Sequence, residues 1–118
     1  MRGSSLLAAI VLLLALATGT AQAHALLDHA EPRVGNKVAK LPAEVSLWFT
    51  QNIEPAFSTI TVTNAAGERM DTGKARINGS QMSISLRAGG VGSYRVNWRV
   101  LSVDSHKSEG NFSVQVGP

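Results

Sequence analysis

Ser93-Tyr94-Arg95-Val96-Asn97-Trp98-Arg99-Val100-Leu101-Ser102-Val103 opens with an unbroken alternation of apolar and polar residues. Tyr94, Val96, Trp98 and Val100 share one side of an extended chain; Arg95, Asn97 and Arg99 take the other. This predicts a long strand with one face in a core and one in water. A turn, Asp104-Ser105-His106, follows directly. Its outer residues are two apart, so in extended backbone a carboxylate and an imidazole point the same way.

The same period recurs on both sides of this stretch. Downstream, Asn111 to Val116 predicts a final strand with Phe112, Val114 and Val116 inward. Upstream, Gln81 to Leu86 places Met82, Ile84 and Leu86 on one face and Ser83 and Ser85 on the other. Thr59 to Thr63 turns Ile60 and Val62 inward. Glu44 to Thr50 turns Val45, Leu47 and Phe49 inward, with Ser46, Trp48 and Thr50 outward. Glu68 to Ile77 is less regular and reads as one or two edge strands. His24 to Glu31 is a first extended segment, with Leu26 and Leu27 apolar and Pro32 at its end. Asp28 and His29, as neighbours on a strand, are expected on opposite sides. Gly35-Asn36, Ala65-Ala66-Gly67 and Asn78-Gly79 supply turns. No helical period stands outside the first 23 residues. Roughly seven short strands with frequent turns predict an all-β, Ig-like antiparallel β-sandwich.

The first 23 residues read as a cleavable export signal. Arg2 is followed by an uncharged run from Leu6 to Ala17, and Ala21-Gln22-Ala23 fits small-x-small cleavage. The run is about twelve residues, short of the roughly twenty that span a bilayer. Cleavage after Ala23 leaves residues 24–118 as one small domain in the periplasm. Of 11 Lys and Arg against 8 Asp and Glu, only Arg2 is lost. The remaining basic residues are scattered, so nothing resembles a nucleic-acid patch. There are no cysteines, which excludes disulfides, thiolate metal sites and a cysteine nucleophile.

Cleavage also changes the chemistry of the chain. It leaves His24 first, with a free α-amine and an imidazole on one residue, a chelating pair for a metal. His24, Asp104 and His106 together offer three nitrogens and a carboxylate oxygen. That donor set favours one Cu(II) ion. Cu(I) prefers sulfur, and only Met70 and Met82 follow the signal. Met82 is assigned to the core; Met70 is a ligand candidate without further support. Trp98 reads as a core aromatic close enough to wall the site from water. His29 or a water is left as the group completing coordination.

His24-Ala25, Leu47-Trp48-Phe49-Thr50-Gln51 with Phe57-Ser58, Gly92 to Arg99, and Val103-Asp104-Ser105-His106 with Gly110 resemble the CopC family of bacterial periplasmic copper-resistance proteins. The resemblance implies a Greek-key sandwich holding one Cu(II) through His24 amine and imidazole, Asp104 and His106. It also implies a monomer that exchanges copper with a CopD-like inner-membrane transporter or other periplasmic copper proteins. Two departures stand out. The methionine-rich loop of some members is missing, which implies a Cu(II)-only type. Gln51 stands where some members have a glutamate supporting the terminal amine. The function expected is a copper carrier or buffer, not an enzyme. The alternatives are a copper-dependent oxidative enzyme of the terminal-histidine type and a metal-free structural sandwich.

Overall fold

The computed structural model describes residues 27–118; the predicted signal, its cleavage point and His24 lie outside the described residues. Eight strands follow in order: β1 (Leu27–Glu31), β2 (Lys37–Val38), β3 (Glu44–Phe49), β4 (Thr59–Asn64), β5 (Asp71–Asn78), β6 (Gln81–Leu86), β7 (Gly92–Leu101) and β8 (Lys107–Val116). They form two four-stranded sheets, β1-β3-β6-β5 and β2-β8-β7-β4. The sandwich expected from the alternation is therefore present. All pairings are antiparallel except β2 with β8, a two-residue parallel contact that the sequence reading did not anticipate.

The core forms where the inward faces of the two sheets meet. Val45, Leu47 and Phe49 of β3, Met82 and Ile84 of β6, and Ile60 and Val62 of β4 are buried there. So are Tyr94, Val96, Trp98 and Val100 of β7 and Phe112, Val114 and Val116 of β8. Each such aliphatic or Phe side chain contributes about 1.5–3 kcal/mol on leaving water. Trp98 meets Phe49 edge-on, with ring centres 5.4 Å apart, and so joins the sheets.

β8 starts at Lys107, four residues before the predicted Asn111. Trp98 explains the difference. Gly110 pairs directly with Trp98, and a Cβ built on Gly110 would lie 2.7 Å from the indole ring. The inward position is filled by the neighbour's ring, so this part of the strand carries no apolar residue of its own.

Two further expectations are corrected. Ser46 and Ser83 lie on the outer face as predicted but are buried, and their hydroxyls bond each other at 2.7 Å. Ser83 pairs with Ser46 of β3 on one side and with Arg76 of β5 on the other, and Arg76 bonds Ser85 Oγ at 3.0 Å and Glu44 Oε2 on β3 at 2.6 Å. Asp28 and His29 do not face opposite sides. The register slips between Leu27 and His29, a bulge that leaves both exposed. His29 Nδ1 then lies 2.8 Å from Asp28 Oδ2.

Candidate metal centre

β7 and β8 are joined by a hairpin whose tip is Val103-Asp104-Ser105. Ser102 N–H bonds His106 O at 2.9 Å, and Ser105 N–H bonds Ser102 O at 2.9 Å. Ser105 takes φ +73°, the one positive φ at a non-glycine among the described residues. A turn closed by a left-handed residue is a standard three-residue hairpin loop. Here it bends the chain so that Asp104 and His106 stay on one side.

The tip is anchored to the loop after β3. Val103 N–H bonds Asn52 O at 3.0 Å, Glu54 N–H bonds Leu101 O at 2.8 Å, and Ile53 bridges Ser102. Gln51 is thereby brought to the tip, where its side chain helps to lower the pKa of the Asp104 carboxyl. Leu27 pairs with Phe49, two residues before Gln51. The first described residue of the chain thus stands at the same end of the sandwich as the turn.

Asp104 Oδ1 lies 3.3 Å from His106 Nδ1 and accepts a hydrogen bond from Ser102 Oγ. The Ser102 hydroxyl, chiefly, holds the Asp104 carboxyl below the usual carboxylate range, aided by His106 and by Gln51. The carboxylate is therefore ionised and free to bind a cation at neutral pH. Both side chains are accessible, at 42% for Asp104 and 73% for His106. A metal with bonds of about 2.0–2.2 Å to nitrogen and oxygen can bridge atoms at this spacing. The donors are one imidazole and one carboxylate, which suit Cu(II) better than Cu(I). Both methionines among the described residues are buried in the core, which supports the packing role read for Met82 and takes Met70 away from solvent.

The predicted site residues thus separate. Asp104, His106 and Gln51 meet at one tip. Trp98 is a core residue, two inward-facing positions deeper on the same strand than Ser102. His29 stacks on Trp48 on the outer face of β1 and β3, with ring centres 4.5 Å apart and planes within 6°. Among the described residues, no three His, Cys, Asp or Glu side chains converge as a metal site, so neither Asp28 nor His29 joins the tip. His24 lies outside the described residues. Ser102 was missed by the sequence reading. The signal was available, because Ser102, Asp104 and His106 follow the same two-residue spacing.

Comparison with known proteins now bears on this geometry. Residues 27–117 match the family model described as CopC domain. Protein YobA of Escherichia coli K12 is 32% identical over 113 residues, covering 90% of this chain and 89% of that protein. Copper transport protein CutJ of Bacillus subtilis is 30% identical over 112 residues, covering 92% of this chain and 21% of that protein. The crystal structure of CopC from Methylosinus trichosporium OB3b superposes with a TM-score of 0.73 at 33% identity, covering 80% of this chain and 95% of that one.

Proposed function

The chain belongs to the CopC family, so its function is copper-related, and from that premise we propose that it is a periplasmic Cu(II) carrier or buffer. The observation that carries the reading is the accessible Asp104–His106 pair, 3.3 Å apart on a rigid hairpin tip. In this reading His24 supplies the remaining donors through its amine and imidazole. It stands three residues before Leu27, and three residues reach at most about 10 Å. Leu27 pairs with Phe49, two residues before Gln51, at the tip's end of the sandwich. One ion would then be held by nitrogen and oxygen alone, at an exposed position suited to handing copper on. Asp104 would add an anionic oxygen donor that favours the oxidised metal, which suits storage and transfer better than oxidative turnover.

CutJ is a longer copper transport protein in which a segment similar to this chain makes up about a fifth. That supports a copper transporter as the exchange partner of this domain. The direct test is a Cu(II) titration of the exported protein starting at His24, against the same protein carrying one extra residue before it. The extension removes the free amine from His24, and Cu(II) affinity is expected to fall sharply. Equal affinity in the two forms would overturn the His24 chelate.

A further inference from the structure

We propose that Ser102 is the positioning residue of the copper site, its buried hydroxyl setting the spacing between the two side-chain ligands. The inference rests on Asp104 and His106 being ligands. Ser102 is 1% exposed, whereas the residues that follow it in the tip are open to solvent. Its one oxygen touches both candidate ligand residues. It donates to Asp104 Oδ1, accepts from His106 N–H at 3.1 Å, and lies 3.3 Å from His106 O. Its backbone N–H bonds the same His106 carbonyl at 2.9 Å.

Ser102 is itself held by the fold. It bridges Ile53, a core residue, and the residues on either side bond Glu54 and Asn52. The constraint therefore runs from the core, through one hydroxyl, to a carboxylate and to the backbone that carries an imidazole. An exposed Asp and His at a hairpin tip otherwise explore several rotamers, and ordering them weakens binding. A hydroxyl that fixes the carboxylate beforehand removes part of that cost. Ser102→Ala would keep the backbone bridge and lose every hydrogen bond of the hydroxyl. The hydroxyl is thus separable from the strand geometry.

The test is Cu(II) competition against a chelator, on the protein processed to His24, in four forms: unaltered, Ser102→Ala, Asp104→Ala and the double variant. Loss of an outer partner that orients a ligand typically costs 10–100-fold in metal affinity. S102A is expected to weaken binding by that factor. Its effect in the D104A background is expected to shrink to a few-fold at most, because most of the effect passes through Asp104. Copper EPR of S102A should report an unchanged nitrogen count. A loss below about threefold in S102A, or an equal loss in both backgrounds, would overturn the inference. Should S102A fail to fold, Ser102→Gly, which likewise removes the hydroxyl and adds no metal-binding atom, is held to the same outcomes. Failure of the unaltered protein to bind Cu(II) would instead overturn the ligand reading itself, a separate and visible result.

Discussion

Tyr94, Val96, Trp98 and Val100 lie on the same strand face as Ser102, and the tip beyond continues the two-residue spacing through Asp104 and His106. The first four are buried in the core; the last two are open to solvent. One rule of alternation therefore serves two regions held in different ways. The strand is fixed by apolar area removed from water and by the partner sheet. The tip has little apolar area to bury, and Val103 within it is exposed. It is fixed by backbone hydrogen bonds and the Ser102 hydroxyl. Damage to the strand should therefore appear as lost stability, and damage to the tip as lost copper.

The largest effect is expected from Trp98→Ala. Deleting a buried Trp side chain typically costs about 3–5 kcal/mol. Trp98 is 7% exposed, covers Gly110 and meets Phe49. Chemical denaturation should show that loss, while the fraction still folded keeps its Cu(II) affinity within a few-fold. A tenfold drop in that affinity would make Trp98 part of the site as well as of the core, and blur the division between the two regions.

The converse is His106→Ala. Removing a ligand should exceed the 10–100-fold typical of an outer partner, so affinity should fall by at least about 100-fold. The melting temperature of the metal-free protein should move little, because an exposed substitution away from the core is usually within about 0.5 kcal/mol. A large loss of stability would show that the tip supports the fold as well as the metal.

The same contrast explains what could be read from sequence. β3, β4, β6 and β7 were legible because apolar side chains mark the buried face of each. The Asp104–His106 pair was legible because its spacing is short and local. What escaped depends on neighbours from elsewhere in the chain. β2 is two residues long, too short for any period. The first part of β8 was hidden because Trp98 fills the place opposite Gly110. Ser46 and Ser83 meet across neighbouring strands 37 residues apart in the chain, and Arg76 comes alongside from a third strand. Gln51 was noted as a possible support for the terminal amine, but its place beside Asp104 arises only because the loop after β3 crosses to the hairpin tip.

The smallest effect concerns a second carboxylate that resembles Asp104 in chemistry but not in setting. Asp71 is also held below the usual carboxylate range, chiefly by its bonds to Arg69. It accepts the Val62 N–H at 2.8 Å as well, and its side chain is only 6% exposed. A carboxyl whose pKa is lower folded than unfolded adds stability that is fully present above the unfolded value, near 3.9. That stability disappears as pH falls through the lower folded value. Asp71→Asn should therefore lower stability at pH 7 by about 1 kcal/mol and flatten its decline below about pH 4. Asp104 is lowered too, but its partners lie within an exposed tip that the core does not need. Asp104→Asn should flatten the acid limb in the same direction but by less, because solvent screens the more exposed Asp104 carboxylate, while weakening Cu(II) binding. Melting curves of the metal-free variants between pH 2.5 and 7 would separate the two. If Asp104→Asn flattened the limb as much as Asp71→Asn, the tip would be coupled to global folding, and the strand and its hairpin would have to be treated as one unit.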